Sequence, residues 1–325
     1  RLVLGFLIDI LRILILTVPI LIKSLVNLCL PTPRKSIKGQ VALVTGGGNG
    51  LGRAIVLRLA GQGCHIAIVD IDGAAARKVA EEAKGFGVKA AGYEVDVSDH
   101  EKINKLKTQV EEDIGPVEIL INNAAIVPRL SLHNGPAEHI ARIVEVNLNS
   151  NIWTVRTFLP DMKKRQRGHI VSIASMTVQF QLVGAITYGA TKAAVAALMR
   201  GVEQEIRMEE LADYVKTSCV FPFFIATRRD LCEAADLRLP PISPNYCADK
   251  IVDGILANER EIYIPRYLYY GLKILDILPF ETKNLVRDYI VKEKEKAKFD
   301  FLSADSDNKN TDRNKNVIDS KQVNT

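Results

Sequence analysis

Tyr188 and Lys192 stand four residues apart, a spacing that sets a phenol and an ammonium on one helix face about a turn from each other. A phenol in that company is a proton-transfer group. With its ordinary pKa of about 10 it would be ionised in roughly one molecule per thousand at pH 7, and an adjacent cation favours the phenolate by Coulomb attraction. The spacing itself is cheap, since Tyr246/Lys250 and Tyr269/Lys273 share it. Only the first pair has a serine thirteen residues upstream, Ser175; the corresponding positions for the other two are Glu233 and Leu256. A hydroxyl there can bond a substrate oxygen and hold it against the phenol. Ser175, Tyr188 and Lys192 therefore read as acid–base machinery for a hydroxyl or carbonyl group.

A second group of residues is suited to a dinucleotide. The run Thr45-Gly-Gly-Gly-Asn-Gly-Leu-Gly52 follows an apolar strand-like stretch and opens a helix-like one. Glycines at such a turn let the backbone approach a pyrophosphate, whose charge meets the N–H groups of the helix start. The spacing Gly46-x-x-x-Gly50-x-Gly52 departs from the general Gly-x-Gly-x-x-Gly fingerprint. Gly46, Asn49, Gly50, Leu51 and Gly52 are the cofactor-loop candidates. Asp70, twenty-four residues after Gly46, ends the next strand, where its carboxylate can accept from both ribose hydroxyls. That charge would repel a 2′-phosphate, and the glycine loop holds no Arg or Lys to receive one, so NAD is expected over NADP.

The elements that must position these residues alternate. Short branched runs at 41–44, 65–69, 90–95, 119–121, 170–173 and 218–221 are separated by helix-length segments at 51–62, 74–85, 99–114, 138–163 and 190–211, and 261–264 supplies a seventh strand. Strands separated by helices mean right-handed crossovers, hence an α/β fold: one doubly wound parallel sheet of about seven strands, covered on both faces.

Composition agrees with one large domain plus appendages: 325 residues, 47% hydrophobic and 25% charged. Lys+Arg 43 against Asp+Glu 38 leaves +5, spread along the chain, so no nucleic-acid partner is expected. Five cysteines without a Cys-x-x-Cys pair point to neither a disulfide framework nor a metal site, and to a reducing compartment for the domain.

Residues 1–30 are almost wholly apolar, and Pro31, Pro33, Arg34, Lys35 and Lys38 follow as a basic linker over 31–38. The chain opens on Arg1 rather than Met, as a trimmed or partial N-terminus would. On a helical wheel Asp9, Arg12, Lys23 and Asn27 fall within about 60° of one another, a narrow polar stripe that favours an anchor lying in the membrane interface, in-plane or as a hairpin kinked at Pro19, over one spanning it. A cleaved signal is disfavoured because no Ala-x-Ala-like site precedes Pro31. The basic linker would keep the catalytic domain, 39–300, on the cytosolic side. Residues 303–325 carry four acidic, four basic and four aliphatic residues, too little apolar surface to offset ordering, so a disordered polar tail is expected from about 301.

Taken in order, the glycine loop, Asp96-Val97, Asn122-Asn-Ala-Ala125, Asn147, Ser175, Tyr188-Gly-Ala-Thr-Lys192 and Pro222 to Thr227 resemble the short-chain dehydrogenase/reductase family over about 38–265. The resemblance implies hydride transfer between an alcohol carbon and a nicotinamide. Tyr188 would be base or acid, Lys192 its cation, Ser175 the substrate-oxygen ligand, and Asn147 the holder of a water linking Lys192 to solvent. It further implies that Asp96 bonds the adenine amino group, that Val97 packs on the ring, that Asn123 and Ala124 line the cofactor cleft, and that Ile225 and Thr227 hold the nicotinamide carboxamide. Two positions depart from the family pattern: Ala125 stands where glycine is usual, and Phe223 follows Pro222 where glycine is common.

Pro222-Phe-Phe-Ile225, Leu239-Pro-Pro-Ile-Ser-Pro-Asn-Tyr246 and Ile262-Tyr-Ile-Pro-Arg266, behind an apolar N-terminus, resemble the epidermal retinol dehydrogenase and lipid-droplet 17β-hydroxysteroid dehydrogenase branch. That branch implies a lipophilic alcohol substrate and attachment to endoplasmic reticulum or lipid droplets. The family further implies a homodimer through the helices bearing Asn147 and Tyr188. The run from Tyr267 to Leu278 reads equally as a helix packed on the domain and as a membrane-touching surface beside the substrate mouth.

Overall fold

Continuous runs of branched and small apolar residues suit strands buried on both faces, and each predicted run forms one. In the computed structural model the described residues are 2–29, 33–127, 132, 135–179, 182, 184–227, 232 and 235–293. The expected tail from 301 lies outside them. The chain divides into two compact units, Arg1–Ser36 and Ile37–Thr325.

In the larger unit β1 (Val41–Thr45), β2 (His65–Asp70), β3 (Ala90–Glu94), β4 (Val117–Asn122), β5 (Gly168–Ile173), β6 (Val215–Pro222) and β8 (Glu261–Ile264) form a seven-stranded sheet in the order β3-β2-β1-β4-β5-β6-β8. Every pairing in it is parallel. The order reverses between β1 and β4, and in such sheets the crevice beyond the strand ends at this point is where a ligand binds.

One face is covered by α2 (Gly50–Gly61), α3 (Gly73–Lys84) and α8 (Pro244–Leu256), whose Ile55, Leu59, Val79, Ile251 and Ile255 pack on Ile66, Ile68 and Ile121. The other is covered by α4 (His100–Asp113), α6 (Ser150–Lys164) and α7 (Ile186–Met208), with Leu106, Phe158, Met162 and Met199 on Leu43, Leu120 and Ile170. Apolar area is thus removed from water on both sides of the sheet, which contributes most of the stability.

The expected single helix at 138–163 is interrupted. α5 (Ala137–Val144) passes through a π-turn, Glu145–Asn149, into α6, with Ser150 N donating to Glu145 O. Apolar periodicity gives no sign of a one-residue slip, because both helices keep their buried faces.

Beyond the sheet lie α9 (Arg266–Asp276), α10 (Phe280–Ile290) and a small antiparallel pair, β7 (Ala235–Leu237) with β9 (Val291–Glu293). The run from Tyr267 packs as a helix on the domain by one face and leaves its other face exposed. Leu268, Tyr269 and Leu272 pack on the core, whereas Tyr267, Tyr270 and Ile274 are exposed, as are Ile277, Phe280, Leu285 and Tyr289 further on.

The smaller unit is one helix, α1 (Leu2–Cys29), that continues through Pro19. Its window Gly5–Ile22 has mean hydropathy 2.3 and no part of it is buried. At 1.5 Å per residue the 28 residues extend roughly 42 Å, enough to cross a hydrocarbon core of about 30 Å or to lie along one. Arg12 pairs with Asp9 one turn back, at 3.7 Å.

Candidate active site

The glycine loop leaves β1 at the reversal point and is tied there to the end of β4. Asn123 N and Ala124 N donate to Thr45 Oγ1 at 3.0 and 3.1 Å, and Asn123 Nδ2 donates to both Thr45 O and Gly46 O at 3.0 Å. Gly46 has φ +62°, and a Cβ there would stand 2.9 Å from Ala124 Cα. Only a glycine lets these two strand ends approach so closely. Asn49 precedes α2 in extended conformation without a side-chain cap, so the first N–H groups of that helix are left to another acceptor, as an anion cradle requires. Leu51 puts its side chain into the core, which leaves its backbone N–H as its contribution to the loop. Thr227 faces the loop, with Cγ2 3.2 Å from where a Gly50 Cβ would be, while Ile225 packs at the core margin and bridges to Ile242.

Asp70 stands at the end of β2 and already receives two backbone donors: Gly48 N to Oδ2 at 2.9 Å and Asp72 N to Oδ1 at 3.1 Å. Its carboxylate thereby lies against the glycine loop. The first cation after the loop, Arg53, is turned aside into a pair with Glu82.

Asp96 is held more tightly than the sequence suggests. Ser98 N and Oγ donate to Oδ1 at 3.0 and 2.7 Å, and Arg142 Nη2 donates to Oδ2 at 2.7 Å. Burial acts to raise its pKa, but these bonds outweigh burial and keep the carboxyl below the usual range. Val97 is buried among the core residues of the α4 and α6 side. Arg142 is not legible as a partner in the sequence, since 46 residues separate it from Asp96.

The three acid–base candidates converge on the end of β5. Ser175, two residues beyond that strand, opens a 3₁₀ turn (Met176–Val178), its Oγ accepting from Thr177 N at 3.2 Å. Lys192 reaches the same strand end, where Nζ donates to Ile173 O at 2.6 Å. Tyr188 is half-buried on the first turn of α7, which starts four residues earlier than the periodicity implies, and its ring centroid lies 5.7 Å from Lys192 Nζ. Lys192 is 2% exposed, and desolvation draws its pKa from 10.5 down to about 8, with Cys219 opposing the shift. At pH 7 it remains predominantly a cation.

Asn147, fully buried in the π-turn, uses both ends of its amide on one residue. Its Oδ1 accepts from Ile126 N at 2.8 Å and its Nδ2 donates to Ile126 O at 2.9 Å, with a further contact to Thr191 Oγ1 at 3.3 Å. Thr191 Oγ1 in turn donates to Tyr188 O at 2.7 Å. Thr45 and Thr191 thus position the site although neither stands out in the sequence; nothing local distinguishes a structural threonine from a solvated one.

Phe223 fits without distortion. Its N donates to Ile264 O at 2.8 Å, and its ring is buried edge-on to Phe224. A cavity of about 30 Å³ is lined by Gln179, four residues after Ser175, and by Leu272, Leu275, Lys283, Val286, Arg287 and Ile290 of α9 and α10.

The model for short chain dehydrogenases matches residues 40–233. Human epidermal retinol dehydrogenase 2 is 32% identical over 273 residues, covering 83% of this chain and 88% of that protein. Human 17-beta-hydroxysteroid dehydrogenase 13 is 32% identical over 276 residues, covering 85% and 91%. Among solved structures, a short chain dehydrogenase/reductase from Burkholderia phymatum in complex with NAD superposes with TM-score 0.68 at 23% identity, covering 74% of this chain and 94% of that one. A metagenomic short-chain oxidoreductase in complex with NADP superposes with TM-score 0.60 at 27% identity, covering 70% and 97%.

Proposed function

The chain belongs to the short-chain dehydrogenase family, and on that premise we propose that it oxidises the hydroxyl of a lipophilic alcohol, retinol-like or hydroxysteroid-like, using NAD. The observation that carries the reading is the buried Lys192 ammonium, held at 2.6 Å by the carbonyl of Ile173 just before Ser175 and facing the Tyr188 ring. When bound, NAD supplies a nicotinamide ring that takes the hydride, both electrons of the alcohol C–H bond. Tyr188 takes the hydroxyl proton on its phenolate oxygen, Lys192 stabilises that phenolate by its charge, and Ser175 Oγ orients the substrate oxygen. Asn147, its side-chain amide committed to Ile126, steadies Tyr188 through Thr191, whose hydroxyl donates to the Tyr188 carbonyl.

The glycine loop suits a dinucleotide, with its uncapped helix start and the close approach at Gly46. Preference for NAD is supported by Asp70 against the loop and by Arg53 being committed to Glu82. The rival readings are an NADPH-dependent carbonyl reductase and a non-catalytic lipid-droplet scaffold. Absorbance at the NADH band, measured with NAD or NADP and a panel of retinoids, hydroxysteroids and long-chain alcohols, separates all three. NAD should support turnover at least about tenfold better than NADP, and Asp70→Ser should narrow that ratio by about tenfold, as loss of a charged ribose contact implies. Equal preference before and after the substitution refutes the ribose assignment, and silence across the panel with either nucleotide favours the scaffold.

Membrane attachment belongs to the same proposal, with α1 in the interface of endoplasmic reticulum or lipid droplet. Removing residues 1–30 is expected to move the protein from the membrane pellet to the supernatant with NAD affinity unchanged. A truncated form that still sediments with membranes transfers the anchoring role to the exposed side chains of α9 and α10.

A further inference from the structure

The helix that carries Asn147 is polar where a sheet-packed helix is ordinarily apolar. Ser150, Asn151 and Thr154 are all buried there. Their side chains serve the backbone one turn back: Ser150 Oγ bonds Val146 O, Asn151 Nδ2 donates to Asn147 O at 2.9 Å, and Thr154 Oγ1 donates to Ser150 O at 2.9 Å. Asn122 Oδ1, at 2.8 Å, competes with that carbonyl for the single Thr154 proton, and Asn122 Nδ2 reaches Ser172 Oγ at 3.3 Å. The amide of Asn151 has one workable orientation, because the reverse would set two carbonyl oxygens 2.9 Å apart.

That orientation leaves Asn151 Oδ1 buried without a hydrogen-bond partner. Among the described residues the other such side-chain atom is Thr177 Oγ1, two residues beyond Ser175. Both orphans therefore fall in the two segments that position the acid–base group. Buried polar atoms are seldom left unpaired, and an amide oxygen inside a polar layer is an ordinary seat for a buried water.

We propose that Asn151 is a positioning residue of this site, its Nδ2 holding the Asn147 carbonyl and its Oδ1 binding a buried water. The proposal rests on the oxidoreductase reading and deepens it. Asn151 acts through a continuous chain of contacts: Asn147 O, then Asn147 Nδ2 to Thr191 Oγ1, then Thr191 Oγ1 to Tyr188 O. Among the described residues, the titratable groups facing Lys192, beside this chain, are Tyr188 on its own helix and Cys219 on β6. Without the amide, the π-turn carbonyl and the water both lose their fixed positions, and so does the first turn of α7 that carries Tyr188.

Two measurements decide it. In a crystal structure of the NAD-bound protein, an ordered water is expected within about 3.2 Å of Asn151 Oδ1; a dry oxygen overturns the proposal whether or not the protein turns over any alcohol. In kinetics, Asn151→Leu should lower kcat by about tenfold and displace the pH profile of kcat upward, with KM for NAD within about twofold of wild type. Asn151→Ser, whose hydroxyl can donate to the carbonyl four residues back and still accept from water, should restore kcat to within about threefold and return the pH profile. An unshifted profile in Asn151→Leu, or the same loss in both variants, also overturns it. Wild-type protein silent on every alcohol would instead overturn the oxidoreductase reading, and the crystallographic water would then decide by itself whether Asn151 holds one.

Discussion

Tyr188→Phe is expected to lower kcat for alcohol oxidation by about 10²- to 10⁴-fold while NAD still binds with near wild-type affinity. The substitution deletes one hydroxyl and almost no volume. Tyr188 is half-buried on the first turn of α7 and outside both core clusters, so the fold has little to lose. Lys192 keeps its bond to Ile173 O at 2.6 Å, because that contact does not pass through the phenol. What disappears is the oxygen that takes the proton. Single-turnover absorbance at the NADH band, NAD titration by fluorescence quenching and a thermal melt would be read on the same preparation. Turnover within tenfold of wild type, with the melt unchanged, would remove Tyr188 from the chemistry and the acid–base reading with it.

Gly52→Ala carries the second large effect, and it acts on the cofactor loop rather than on the chemistry. A Cβ at position 52 would stand 1.9 Å from Gly46 O and 2.7 Å from Asn123 Nδ2. Neither neighbour can move cheaply. Gly46 is hemmed in by Ala124 Cα, and the Asn123 amide is bonded to both Thr45 O and Gly46 O. The methyl group must therefore push α2 away from β1 or break the tie between the two strand ends. Overpacking of this kind costs about 1–3 kcal/mol or more, and the displaced helix start should weaken NAD binding by about a hundredfold. Gly61→Ala on the same helix is the control. Its new methyl would come no nearer than 3.7 Å to Phe86, and it should raise stability by about 0.5–1 kcal/mol. If both substitutions lower NAD affinity alike, crowding at Gly52 is not the cause.

These two results would test features that differ in how far they can be read along the chain. The glycine loop is visible because glycine is required where backbone meets backbone. Tyr188, Lys192 and Ser175 are visible because their spacing along one helix and the preceding strand end is local. The alternation of branched runs with helical periods gives the sheet for the same reason: burial on two faces leaves its pattern in consecutive residues. The π-turn at Glu145–Asn149 leaves no such pattern, since inserting one residue between two amphipathic helices preserves the apolar face of each. Asp96 illustrates the other limit. Its motif position is plain, but its partner Arg142 comes from a helix on the far side of β4 in sequence, and a single sequence contains no trace of that pairing.

By itself, then, the amino-acid order determined the doubly wound sheet, the glycine loop and the choice of Ser175, Tyr188 and Lys192 as the candidate group, because each depends on chemistry or periodicity confined to a few neighbouring residues. Tertiary structure alone decided that the Lys192 ammonium is sealed from water, that the Asn147 amide is spent on Ile126, that Arg53 is drawn off to Glu82, and that α9 turns one face to the core and the other outward. The physical reason is range: desolvation, ion pairing and hydrogen-bond partnering depend on distances through space, which the folded chain sets between residues tens of positions apart.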